Sequence, residues 1–186
     1  VERGSIEELG LEAFVSLFDH DNIEAPMHLR VLQESKDIPI SVEWTVPFGD
    51  AVLHLGVHNL PVREACPIMR TMAEVTVRKK GSDLTAILEW LCADPRTLVV
   101  FNHPCWDEEG IGAERHRYRL YIHALELNNL RPWSENREAA RLARATGIPL
   151  ISGGDRHARQ PNAVLNVTNA SSFEEFRPGT ARRPAE

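Results

Sequence analysis

Short apolar runs of strand length alternate along the chain with stretches whose apolar residues recur at helical spacing, the pattern of an α/β fold. Residues 2–9 read as a helix stopped by Gly10, and Leu11–Phe18 as the first strand. The polar run Asp19-His20-Asp21-Asn22 breaks that strand ahead of a helix predicted over 24–35, with Pro26 in its first turn. Two further strands, Ile40–Trp44 and Ala51–Val57, flank a turn at Pro47-Phe48-Gly49-Asp50. A helical pattern over 61–76 is interrupted by Pro67, and Ser82 then caps a helix at 83–92 with Leu84, Ile87, Leu88 and Leu91 on one face. Strand Thr97–Phe101, a charged stretch with glycines at 107–114, a helix near 113–123 and strand Ala124–Leu127 follow. A helix at 134–146 ended by Gly147 and a strand Ile148–Ile151 complete the order. The residues from Ser171 onward read as a frayed tail, which divides the chain into a domain over 1–170 and a tail over 171–186.

Composition narrows the classes of function. The 186 residues, 42% hydrophobic and 26% charged, suit one domain with a sizeable core. A formal net charge of −6 argues against a broad cationic face for duplex nucleic acid or anionic lipid, so a charged substrate needs a local positive centre such as a metal. No apolar run reaches the roughly 18 residues of a membrane span, so no membrane partner is expected. The opening residues lack the apolar stretch of a signal peptide and contain no methionine, which leads us to expect a start further upstream. Cys66, Cys92 and Cys105 form neither a disulfide framework nor a Cys-x-x-Cys pair, and their odd number suits a reducing cytoplasm.

The informative feature is where metal-binding residue types fall relative to the strands. Asp19 and His20 end the first strand, Glu43 lies near the end of the second and His54 within the third. His103 follows the strand TLVVF, and Asp155 and His157 follow IPLI. In parallel α/β folds, side chains at the carboxyl ends of different strands converge on one face. Each residue also has an ordinary role open to it. The 19–22 run is a natural turn and helix cap, Glu43 a natural solvent-facing residue, and His54 a natural core histidine. Repetition of position sets the group apart from its members. Imidazole and carboxylate suit zinc, manganese and iron, and Glu43 has two oxygens with which to bridge two ions. Asn128, at the end of ALELN, either lines this pocket or caps its strand, whereas His58 matches no motif.

In their order and spacing these residues resemble the polymerase and histidinol phosphatase (PHP) superfamily of metal-dependent phosphoesterases. Leu17-Phe18-Asp19-His20 is similar to its Thr-Asp-His motif, and Asn102-His103-Pro104 to its Ala-His-Pro. Gly153-Gly154-Asp155-Arg156-His157 is similar to its Gly-Ser-Asp-x-His, and the spacing of Glu43 and His54 resembles the nucleoside bisphosphatase branch. The resemblance implies a distorted seven-stranded β/α (TIM-like) barrel, with the first strand, which carries His-x-His in the family, missing from this sequence. It implies metal ligation by His20, Glu43, His54, His103, Asp155 and His157, with Glu43 bridging, Asp19 orienting His20 and Arg156 reaching the phosphate. It further implies two or three divalent ions (Zn, Mn or Fe) and hydrolysis of a phosphomonoester or phosphodiester, with a small phosphorylated substrate or short nucleotide as partner. Two rivals make other predictions: a degenerate PHP module without turnover, and an amidohydrolase-like enzyme acting on amides or lactones.

Overall fold

In the computed structural model, the described residues are 2–48, 51–79, 81–105, 119–155 and 165–176. They form a mixed five-stranded sheet in the order β1 (Val42–Phe48), β2 (Ala51–His58), β3 (Leu98–Phe101), β4 (Ala124–Asn128) and β5 (Leu150–Gly153). The first three strands are antiparallel neighbours, and β3, β4 and β5 run parallel. Helices α1 (Glu2–Glu7), α2 (Glu24–Leu29), α3 (Ala65–Arg78), α4 (Gly81–Ala93), α5 (Trp133–Thr146) and α6 (Phe173–Phe176) fill the connections and the chain ends. The α/β expectation holds, but the sheet is open: the described residues do not close a seven-stranded barrel. Among them no helix is long and apolar enough to cross a membrane.

Alternation along the strands divides the sheet into two unlike faces. Val42, Trp44 and Val46 of β1, Leu53, Leu55 and Val57 of β2, Val99 and Phe101 of β3 and Leu125 of β4 enter the main core. Against them lie Ile68, Met72 and Val75 of α3 and Leu84, Ile87, Leu88 and Leu91 of α4, spaced three or four apart as one buried helical face requires. Trp44 donates its indole N–H to Thr76 Oγ1 at 2.9 Å, and that hydroxyl donates to the Thr45 carbonyl at 3.0 Å, which ties α3 to β1. The opposite face carries Glu43, His54, His58 and Glu126, together with a small apolar cluster of Leu98, Val100 and Ala124.

Several predicted elements change under tertiary context. Leu11–Phe18 is not a strand. Its side chains dock instead: Ser16 Oγ lies 2.7 Å from His58 Nδ1 and 2.8 Å from Ser41 Oγ, and Phe18 packs edge-on against His58. The helix expected over 24–35 splits into α2 and one 3-10 turn at 33–35, because beyond Leu29 the residues Val31 and Leu32 face solvent and nothing pulls a helical face inward. Pro67 does not interrupt α3. It lies in the first turn, where a missing N–H leaves no intrahelical bond unmade. Pro47 and Phe48 continue β1 rather than turn, and Gly49 and Asp50 lie outside the described residues. Of the helix expected near 113–123, the described part is a 3-10 turn at 119–121 leading into β4; the rest lies outside. Residues 171–176 are not frayed: Phe173 and Phe176 of α6 pack on Leu98, Val100 and Ala124.

Candidate metal centre

Register, rather than a common strand end, brings the candidate ligands together. Glu43 stands opposite Gly56, and Gly56 opposite Val100, one residue before β3 ends. The β1–β2 hairpin thus runs past the end of β3, so Glu43 near the start of β1 and His54 in the middle of the reversed β2 sit level with the β3 exit. The Asn102 amide N–H donates to the His54 carbonyl at 3.0 Å and places His103 directly beyond. His20 arrives from the other edge of β1 through an isolated parallel bridge to Glu43. The Glu43 amide donates to the Asp19 carbonyl at 3.0 Å, and the Asp21 amide to the Glu43 carbonyl at 2.9 Å.

Three imidazoles surround one carboxylate. His20 Nε2 lies 3.6 Å from Glu43 Oε2, while His54 Nδ1 and His103 Nε2 lie 3.6 and 3.4 Å from Glu43 Oε1. His54 Nδ1 and His103 Nε2 are 3.1 Å apart. Asn102 Nδ2 donates to Glu43 Oε1 at 2.9 Å. Glu43 is 3% exposed, and His20 at the rim is the solvent-facing member. Burial by itself would raise the Glu43 carboxyl, but the His103 and Asn102 contacts and the charges of His20 and His103 outweigh it and bring the pKa down to about 2. Burial lowers His54, assisted by the positive charges of His103 and His20 against the opposing pull of Glu43. An ionised carboxylate beside a histidine biased towards neutrality is the protonation state in which both offer lone pairs to a cation.

The donor chemistry fits a divalent ion. The donor atoms of His20, Glu43 and His54 lie within 4.8 Å of one another, with His103 against two of them, and nitrogen with carboxylate oxygen suits zinc, manganese or iron. Asp19 acts on His20 through the main chain: its Oδ1 accepts the His20 backbone N–H at 2.8 Å. Asp21 Oδ1 accepts the Thr45 N–H at 2.8 Å and fastens the same loop to β1. Asp155 follows β5 at a positive φ of 40°; His103 at 30° and Asp21 at 49° share that sign, as do Asn59 and Lys79 away from the centre. Arg156 and His157 lie outside the described residues.

Motif reading passed over Glu126, a carboxylate 3% exposed on the same face. Its Oε2 accepts the His103 backbone N–H at 2.8 Å and Asn128 Nδ2 at 3.2 Å. Burial raises its pKa, against the lowering effect of those donors. Asn128 is buried and serves Glu126, and its own main chain is held by Asn136 of α5 at 2.9 and 2.8 Å. The only sequence signal was a glutamate among apolar neighbours in ALELN.

Two glycines make room for this polar face. A Cβ on Gly56 would stand 2.8 Å from Asn102 Oδ1 and 3.0 Å from His58 Nε2. Gly56→Ala is therefore expected to displace Asn102 from Glu43 and to cost about 1–3 kcal/mol of stability. Chemical denaturation of both proteins checks this, and equal midpoints would refute it. Gly153 is the last residue of β5. A Cβ there would overlap the Glu126 carboxylate, coming within 2.7 Å of its carboxyl carbon.

No family model matches the chain, and no curated protein matches it in sequence. Among solved structures, the fold is similar to that of a protein from Bifidobacterium adolescentis described as a "putative metal-dependent phosphoesterase". The two share a TM-score of 0.51 at 14% identity, over 87% of this chain and 83% of that one. At that identity the likeness establishes a common fold.

Proposed function

We propose that this chain is a metal-dependent phosphoesterase of the PHP type, hydrolysing a phosphomonoester or phosphodiester of a small, nucleotide-like substrate. The observation that carries the reading is the convergence of His20, His54 and His103 on the Glu43 carboxylate at the level where β3 ends. The motif order and the similar fold of a protein described as acting on phosphoesters support it. His20, Glu43, His54 and His103 would hold divalent metal, with Asp155 and His157 completing the set and Glu43 shared as a bridging carboxylate. Clustered divalent ions supply an activated water at neutral pH and positive charge for the phosphate oxygens. Asp19 fixes the His20 backbone, and Arg156 receives the phosphate. The local positive charge that the net charge of −6 lacks is thereby provided at one point.

The test uses the chain stripped of metal and titrated separately with Zn²⁺, Mn²⁺ and Fe²⁺. Each form is assayed on 4-nitrophenyl phosphate, bis(4-nitrophenyl) phosphate, a nucleoside 3′,5′-bisphosphate, and an anilide and a lactone. Hydrolysis of a phosphate ester that requires added metal and stops with a chelator is the expected result. Tight metal binding without turnover would favour a non-catalytic module, and turnover of the anilide or lactone alone an amidohydrolase-like enzyme.

A further inference from the structure

We propose that Glu126 is the positioning carboxylate of this centre, holding the β3 exit so that the His103 imidazole meets Glu43, and that Gly153 is required because its missing side chain leaves space for that carboxylate. The inference rests on the metal-binding reading above and assigns Glu126 no contact with substrate or metal.

The argument begins with the backbone. His103 sits at a φ of 30°, which a residue with a side chain holds only when its surroundings fix it there. Two bonds do the fixing. The Asn102 N–H is held by the His54 carbonyl of β2, and the His103 N–H, the next donor along, is held by Glu126 Oε2 of β4. Glu126 Oε2 accepts that N–H at 2.8 Å, and at 3% exposure water offers little competition for the bond. From that anchored backbone the imidazole reaches Glu43 Oε1 at 3.4 Å and His54 Nδ1 at 3.1 Å.

Glu126 is itself braced from behind. Asn128 Nδ2 donates to the same oxygen, and the Asn128 main chain is clamped by the Asn136 side chain of α5. A continuous set of hydrogen bonds therefore runs from α5 through β4 to the β3 exit. On the β5 side the carboxylate occupies the space in which any Cβ at position 153 would stand. Gly153 shows no positive φ, so conformational freedom does not account for it and space does. Asp155 follows two residues later, so one carboxylate packs against two strand exits that carry candidate ligands.

Three variants test the proposal: Glu126→Leu, which removes the acceptor; Glu126→Gln, which keeps an acceptor oxygen at the same reach; and Gly153→Ala, which displaces the carboxylate without altering it. The readouts are Zn²⁺ affinity by chelator competition and the visible absorption of the Co²⁺-loaded chain, with thermal unfolding of the metal-free chain as the check on folding. Glu126→Leu and Gly153→Ala are expected to weaken Zn²⁺ binding by about 10–100-fold and to change the Co²⁺ spectrum, the size of effect seen when groups orienting a metal ligand are removed. Glu126→Gln should recover most of the affinity, which a general loss of packing would not predict. Unchanged affinity and spectrum in Gly153→Ala, or equal losses in Gln and Leu, would overturn the proposal while leaving the metal-binding reading intact. Failure of the parent chain to bind Zn²⁺ or Co²⁺ would overturn both. Should Glu126→Leu not fold, Gly153→Ala and Glu126→Gln decide.

Discussion

A Glu43→Gln variant is expected to bind divalent metal more than about 100-fold more weakly than the parent chain, exceeding the loss that follows removal of a group behind a ligand. Hydrolysis of phosphate esters should fall at least as far. The reason lies in charge more than shape. Glutamine keeps the length of Glu43 and an oxygen to accept the Asn102 amide, but places a neutral group among three imidazoles. The Glu43 carboxyl is held down to about 2, so the parent residue is ionised at neutral pH. Without that negative charge, a cation at the centre would meet only neutral donors from these four residues, an amide oxygen standing where an anionic carboxylate oxygen stood. Calorimetric titration of metal-free protein with Zn²⁺ and Mn²⁺ measures the first effect, and the phosphate-ester assay the second. Parent-like affinity in the variant would remove Glu43 from the centre.

Acid is expected to destabilise the metal-free chain through His58. This imidazole is buried between Phe18 and Phe173, and burial lowers its pKa from 6.5 to about 4 despite the raising influence of Glu43. The unfolded chain therefore takes up this proton before the folded one does. Stability from the neutral ring is complete above the unfolded value near 6.5 and declines as pH falls towards about 4. A difference of about 2.5 units corresponds to roughly 3 kcal/mol. Urea unfolding of the parent and of His58→Gln, both metal-free, at pH 7.5, 5.5 and 4.5 isolates this contribution. The gap between the two proteins should narrow on acidification. A constant gap would show that His58 titrates alike in both states.

Much of the fold was legible because local patterns and tertiary demands agreed. The alternation in Val42–Phe48 and Ala51–His58, and the four-residue spacing of Leu84, Leu88 and their neighbours, match the faces they bury. Leu11–Phe18 failed for the opposite reason. Its composition suits a strand, yet a strand exists only where a ladder partner is available, and here the Ser16 hydroxyl and Phe18 ring found side-chain partners first. Pro67 shows the same limit in reverse, since its effect depends on which turn of the helix it occupies. At the site, His20, Glu43, His54 and His103 could be nominated from residue type and order, whereas Glu126, Gly56 and Gly153 could not. Their roles are defined by what lies across the sheet, and no local pattern records a neighbour 23, 27 or 46 residues away.

The sequence by itself determined the alternation of strands and helices, the polar residues that punctuate it, and the histidines and carboxylates of the proposed metal centre. Those are properties of single residues and their near neighbours: propensity, periodicity and ligand chemistry. Only the tertiary structure decided that the sheet is mixed and open, and that β1 and β2 overshoot β3 by the amount that levels Glu43 and His54 with His103. It also decided that a buried glutamate braces the β3 exit beside a glycine left bare for it. Strand register and close packing arise from contacts between distant segments, and a one-residue shift in register would turn Glu43 to the opposite face of its strand.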